Sequence, residues 1–181
     1  MSRAPTSSNV VILDRDGTLV TDKGYLSDPT ELAFEPGAVE GLRRFAALGY
    51  RLVVITNQSG VGRGFFTLEQ LQLVNARLKT MVEATGVRLE NIYFCPHAPD
   101  ANCDCRKPAL GLMRQAASEL GFNPASAVVI GDKETDMEFG RRAGAMTLLI
   151  STNATSNLRD PPDLVVTNLT DAAAAVASSR R

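Results

Sequence analysis

The run Val10-Val11-Ile12-Leu13-Asp14-Arg15-Asp16-Gly17-Thr18 most narrows what this chain can become. Four apolar residues, three of them β-branched, read as a strand buried on both faces of a parallel sheet. The run stops at two carboxylates spaced i, i+2 and then a glycine. Ligands of open α/β sheets collect beyond the carboxyl ends of the strands, which is where Asp14 and Asp16 fall. Two acids this close repel one another, and a divalent cation is the natural means of keeping both ionised. Read alone, the stretch is equally a strand closed by an Asp-Gly turn. The rest of the chain decides between the two.

Further apolar runs end in polar residues in the same way. Arg51–Ile55 runs into Thr56-Asn57-Gln58, and Ala127–Ile130 into Gly131-Asp132-Lys133; Ile92–Phe94, Met146–Ile150 and Leu164–Val166 complete a set of six strands. Helical stripes fall between them. One opens after Glu35-Pro36-Gly37, with Ala38, Val39, Leu42, Phe45, Ala46 and Leu48 on one face, and closes at Gly49. A second starts at Thr67, whose spacing to Gln70 makes a capping box, and stops at Gly86. Others are expected over Pro108–Leu120, over Glu134–Ala143 and from Asp171 onward, while Leu19–Phe34 reads as a long loop. Strands alternating with helices predict an α/β fold: a Rossmann-like, open, mostly parallel sheet with helices on both faces. No insertion is long enough for a large cap domain. Residues 1–181 are expected to form a single domain, with a frayed tail over 178–181.

Composition excludes several functions. A formal net charge of -1 gives no electrostatic case for nucleic acid. No apolar run approaches the ~20 residues that span a bilayer. The polar start, Met1 to Asn9, lacks the apolar segment of a secretory signal, so a cytoplasmic protein that engages no membrane is expected.

Cysteine usage is more pointed. Cys95, Cys103 and Cys105 are the three cysteines, and the one histidine, His97, lies between them. An odd, clustered count argues against a disulfide framework, and two close pairs on one loop match a closed Cys₃His zinc site. With all four positions filled by protein, the site is structural, and the zinc-bound loop 95–105 would aim Arg106 and Lys107.

The strand ends bring together Asp14, Asp16, Thr56, Asn57, Asp132 and Asp136, and Lys107 follows the cysteine loop. Carboxylates that hold Mg²⁺, with a lysine, a threonine and backbone amides that hold phosphate, suit phosphoryl transfer. The Gly-rich loop Gly60–Gly64, with Arg63 in it, suits an anionic substrate.

The series DRDGT, TNQ, a Lys followed by Pro, and GDKETD resembles the four motifs of the haloacid dehalogenase superfamily of phosphohydrolases, in order from Asp14 to Asp136. The resemblance implies that Asp14 attacks phosphorus and forms an aspartyl-phosphate. Asp16 would protonate the leaving oxygen and then activate water, and Thr56 and Lys107 would hold the phosphoryl group. Mg²⁺ would be held by Asp14, the carbonyl of Asp16 and Asp132, with Asp136 ordering that shell through water or Lys107.

The loop FCPHAPDANCDCRKP is similar to the zinc loops of two phosphatase groups, acting on D-glycero-D-manno-heptose 1,7-bisphosphate and on histidinol phosphate. TNQSGVGRGFFT and the Asp22–Leu26 loop are more similar to the heptose group. That likeness implies hydrolysis of the C7 phosphate, in supply of lipopolysaccharide precursors, by a monomer acting on a small phosphorylated sugar. Asn57, Arg63 and Arg106 would bind substrate, the arginines serving the second phosphate or the sugar. The short gap between His97 and Cys103, and the Lys133–Asp136 segment, are shared with the histidinol-phosphate group and keep that substrate open. Three loops would select substrate: Val20–Pro29, Ser59–Phe66 and the zinc loop. The rival of another class is a non-catalytic zinc-loop binding module; its signature, a lost nucleophile, is absent.

Overall fold

A computed structural model describes residues 9–152 and 158–179. The expectations for the start of the chain and for Arg180 and Arg181 lie outside those residues. Six parallel strands form one sheet in the order β3-β2-β1-β4-β5-β6. They span β1 Val10–Leu13, β2 Arg51–Asn57, β3 Leu89–Cys95, β4 Val128–Gly131, β5 Met146–Ile150 and β6 Leu164–Val166.

The alternation of side chains along β1 sorts the core. Val11 and Leu13 join an apolar cluster with Leu42 and Phe45 of helix α1 (Ala38–Ala47), Val74 and Leu78 of α3 (Leu68–Glu83) and Leu169 of α6 (Leu169–Ser178). Val10 and Ile12 face the other way, toward Leu112 and Met113 of α4 (Gly111–Leu120) and Phe139 of α5 (Glu134–Arg142). Both faces of the sheet are therefore covered, which is why its strands read as unbroken apolar runs.

The chain moves outward from β1 through β2 to β3, then crosses back to place β4 on the other side of β1. The carboxyl ends of β1 and β4 thus flank the point where strand order reverses, the usual position of a ligand crevice. The Asp14 backbone N–H donates to the Ile130 carbonyl at 2.9 Å, so the polar residues after both strands start from a shared anchor. The loop after β1 is partly ordered by isolated bridges from Val20 to Asp16 and to Phe34.

Several boundaries differ from those expected, each for a local reason. The Thr67–Gln70 capping box forms as read, with reciprocal bonds of 3.1 and 2.8 Å. Helix α4, however, begins at Gly111 rather than Pro108, because the main chain of Lys107 is bonded to the Asn57 side chain and Gly111 N–H donates to Asp104 O. Ser59–Gly62 forms a single helical turn, α2, inside the expected Gly-rich loop. Helix α6 starts two residues early, because the Asn168 side chain accepts from the Asp171 N–H. Ser178, expected in a frayed tail, closes that helix.

Candidate active site

Lys107 organises the centre. Its ammonium, 4 % exposed, reaches Asp14 Oδ1 at 2.9 Å, Asp136 Oδ1 at 2.6 Å and the Ile55 carbonyl at 2.7 Å. Burial works to strip the charge, but Asp136 and Asp14 outweigh it and hold the lysine protonated, well above its ordinary range. Asn57 fixes the lysine's main chain: its Oδ1 accepts from Lys107 N–H at 2.9 Å, and its Nδ2 donates to Lys107 O at 3.1 Å. The Asn57 side chain, expected to touch substrate, thus has both its polar atoms engaged by the protein and positions Lys107.

A cluster of carboxylates sits around this lysine. Asp14, Asp132 and Asp136 each offer a carboxylate oxygen within 4.8 Å of the others. Asp132 Oδ1 is buried without a protein partner. Burial pushes the Asp132 carboxyl up to about 7, with Lys133 opposing and Asp14 and Asp136 adding to the shift. An orphaned oxygen in an acidic cluster fits a hard divalent cation such as Mg²⁺. Asp136 differs, because its Oδ1 is taken by Lys107 and its Oδ2 accepts from the Lys133 N–H at 3.2 Å. Both Asp136 oxygens are thus engaged by the protein, one of them by Lys107. Gly17 makes the assembly possible: at φ +81°, a Cβ there would fall 2.4 Å from Asp132 Oδ2.

Asp16 lies across from Asp14 and is held from behind. Both of its oxygens accept from Arg15, and Gln58 Nε2 donates to Oδ2 at 2.8 Å. Gln58 also donates to Thr56 Oγ1 at 2.9 Å. Burial raises the Asp16 carboxyl above its usual range against the pull of Arg15. A carboxyl that keeps its proton longer than usual suits a general acid.

Asp14, Asp16, Thr56 and Lys107 line a recess of about 40 Å³. It shares Asp16, Asn57, Lys133 and Thr135 with an adjoining cavity of about 430 Å³, which Tyr25, Ser59 and Arg106 help to line. Arg106 Nη1 is buried there without a partner. Lys133, ion-paired with Asp22 at 3.2 Å, stands between the two spaces. Arg63 is elsewhere: it lines a separate depression with Phe65 and Asp100. Asp22, Gly24 and Tyr25 of one loop and Ser59 and Gly60 of another line the larger cavity, whose lining includes Arg106 but no residue of 95–105. The reading of the sequence missed Arg15, Gln58 and Lys133. Their signal was positional, since each lies inside a motif already recognised for its neighbours.

The thiols and imidazole converge as expected. Cys105 Sγ lies 3.1 Å from both Cys95 Sγ and His97 Nδ1, and Cys95 Sγ is 3.6 Å from His97 Nδ1 and from Cys103 Sγ. Zinc–sulfur bonds of about 2.3 Å set tetrahedral edges of about 3.8 Å, so the 3.6 Å separations fit and the 3.1 Å ones would open around a bound ion. Burial and neighbouring sulfurs push Cys105 up, and burial also raises Cys95; Cys103, against its own desolvation, is held down to about 7 by hydrogen bonds from Cys105 and Cys95. Sulfurs this crowded cannot all ionise without a cation among them, so the donor set fits zinc. The Pro96 carbonyl accepts from the Gly62 N–H at 2.8 Å, and a Cβ on Gly62 would meet Ala98 N at 2.3 Å. The zinc loop therefore rests backbone-to-backbone on α2.

A parallel sheet with an aspartate pair, a buried lysine and a threonine at its switch point is the arrangement of a phosphate-ester hydrolase. Residues 104–172 match a family model described as HAD-hydrolase-like. A D-glycero-β-D-manno-heptose-1,7-bisphosphate 7-phosphatase of Helicobacter pylori J99 is 41 % identical over 148 residues, covering 81 % of this chain and 85 % of its own. The protein of that name from Pasteurella multocida is 39 % identical over 149 residues, covering 78 % and 81 %. Among solved structures, a D,D-heptose 1,7-bisphosphate phosphatase from B. bronchiseptica, complexed with magnesium and phosphate, superposes with a TM-score of 0.85 at 28 % identity. That match covers 94 % of this chain and 99 % of the other. The chain belongs to the haloacid dehalogenase-like phosphatases, in the family of these relatives.

Proposed function

We propose that this enzyme removes the C7 phosphate of D-glycero-D-manno-heptose 1,7-bisphosphate in a Mg²⁺-dependent reaction that passes through an aspartyl-phosphate on Asp14. The observation that carries the reading is the pairing of two spaces. A recess the size of a phosphoryl group, bounded by Asp14, Asp16, Thr56 and Lys107, opens into a larger cavity where a buried arginine nitrogen has no partner. The first suits the reacting phosphate, and the second a sugar carrying another anion. The names of the relatives favour the heptose over histidinol phosphate.

In the first half-reaction an Asp14 oxygen attacks phosphorus. The bond to the sugar oxygen breaks, its electron pair stays with that oxygen, and Asp16 supplies the proton. Asp16 then takes a proton from water, which attacks the same phosphorus and releases phosphate and free Asp14. Lys107 and Thr56 offset the charge on the transferring group throughout. Asp14, the Asp16 carbonyl and Asp132 would hold Mg²⁺, which when bound neutralises the phosphoryl oxygens. Cys95, His97, Cys103 and Cys105 would hold a structural zinc. Arg106 is assigned to the second phosphate or sugar, while Arg63 lines a separate depression and is given no part in binding it. The work is assigned to the cytoplasm and to a single monomeric domain that acts without nucleic acid.

The test is phosphate release with Mg²⁺ from heptose 1,7-bisphosphate and from histidinol phosphate, side by side. A kcat/KM for the heptose at least about tenfold the higher is expected, and D14N should lose more than about 10³-fold while folding and keeping zinc. Preference for histidinol phosphate would overturn the substrate, and an active D14N the covalent mechanism.

A further inference from the structure

The Arg15 side chain lies between the two catalytic carboxylates in sequence and is 1 % exposed, so it cannot reach a substrate in the cavity. It points instead into the protein. Its Nε donates to both Asp16 oxygens, at 3.2 and 3.0 Å, and Nη2 donates to Asp16 Oδ1 at 3.1 Å and to Gln58 Oε1 at 2.9 Å. The remaining nitrogen, Nη1, donates to Asn75 Oδ1 at 3.1 Å.

Asn75 comes from the middle of α3, sixty residues further along the chain. The other buried residues of that helix are Leu71, Val74, Leu78 and Val82, so Asn75 is a polar residue on an apolar face. Its Nδ2 is buried without a partner. Turning the amide over would set that nitrogen against the guanidinium donors, so the unpaired atom follows from presenting oxygen to Arg15. The guanidinium is planar and rigid, and with Gln58 and Asn75 holding different nitrogens it is fixed in its own plane. Asp16, gripped by the same group, inherits that orientation.

Resting on the phosphatase reading above, we propose that Asn75 is a positioning residue. Acting through the Arg15 guanidinium, it holds the Asp16 carboxyl at the angle from which its proton reaches the leaving oxygen. Asn75 touches neither substrate nor the reacting atoms. In the step concerned the phosphorus–oxygen bond breaks, its electron pair passes to the departing oxygen, and the Asp16 proton goes to that oxygen. Loss of the Asn75 carbonyl lets the guanidinium swing, and only esters whose leaving group needs a proton suffer.

The experiment compares kcat/KM, which reports on reaction up to leaving-group departure, for heptose 1,7-bisphosphate and p-nitrophenyl phosphate. The first releases an alkoxide that needs the proton; the second releases a phenolate that does not. N75L should lose about 10- to 100-fold on the heptose ester and less than about threefold on the aryl ester. N75D, which keeps an acceptor for Nη1, should return the heptose value to within about threefold of the parent. A purely structural role lowers both esters alike. Equal loss on both, or no loss on either, overturns the inference. Should N75L fail to fold, N75A gives the same comparison with a smaller side chain. A parent inactive on both esters removes the phosphatase reading and this inference together. A parent active only on the aryl ester removes the heptose assignment alone, and β-glycerophosphate, another alkoxide ester, then replaces it in the comparison.

Discussion

At the residue scale the centre balances buried charge of both signs. Asp14, Asp132 and Asp136 crowd within reach of one another, and Lys107 neutralises part of what they carry. Without a metal, the remaining repulsion falls on Asp132, whose carboxyl is pushed up to about 7, by burial first and by its acidic neighbours second. The folded protein then keeps that proton up to about pH 7, whereas the unfolded chain gives it up near the ordinary value of 3.8. More protons are bound when folded, so stability falls as pH rises between those values. A divalent cation removes the penalty where the carboxylate is ionised. Melting curves of the metal-free protein should therefore show a larger rise in Tm on adding Mg²⁺ at pH 8 than at pH 6. An equal rise at both would show that Asp132 does not compete with protons for the cation.

At the element scale, the zinc loop has little core of its own. Cys103 and Cys105 are half-buried, and residues 99–102 and Asp104 are exposed. The loop is seated on α2 and gathers Cys95, His97, Cys103 and Cys105 in one cluster. Arg106 and Lys107 follow directly on Cys105, so order in the loop becomes order at the Asp14–Lys107–Asp136 cluster. Replacing Cys103 with Ser should lower bound zinc from about one per chain to near zero, with a fall in both Tm and kcat. Elemental analysis of the purified variant is the check, and unchanged zinc content would contradict the four-ligand site. The start of α4 teaches the complementary lesson. A Pro-led apolar stripe is a good helix signal, yet the helix waits until Gly111 because Asn57, fifty residues earlier, has claimed the Lys107 main chain.

At the scale of the whole molecule, helices on both faces hold the sheet in the shape that brings distant motifs together. Contact between α1 and α6 closes one of these faces, and Gly41 sets its distance: a Cβ there would lie 2.5 Å from the Leu169 carbonyl carbon. Gly41→Ala must push the helices apart and should cost about 1–3 kcal/mol, read as a lower Tm. Because α1 lies away from Asp14 and Lys107, kcat should change less than about twofold. A variant as stable as the parent would show that the two helices do not meet this closely.

Order along the chain was legible because the strands are buried on both faces and so must be continuously apolar. The residues that end them interrupt that run and stand out: Asp14, Thr56 and Asp132 were visible for this reason. The Cys/His cluster was visible because thiols and imidazole occur nowhere else in the chain. Arg15, Gln58 and Lys133 lie inside the strand-end motifs but nothing in the sequence showed what they touch, and Asn75 lies outside them. A buried arginine and a surface arginine look alike in sequence, and an asparagine on an apolar helical face looks like a defect. Their roles depend on which atoms lie within hydrogen-bonding distance after β1, β2 and α3 have packed. Likewise, the arrest of α4 and the separation of Arg63 from Arg106 arise from contacts between segments far apart in the chain. Local composition and period thus determined the fold class, the strand ends and the ligand types. Only packing decided which of those groups share a proton, a cation or a cavity, because such interactions act over a few ångströms in space and leave no periodic trace along the chain.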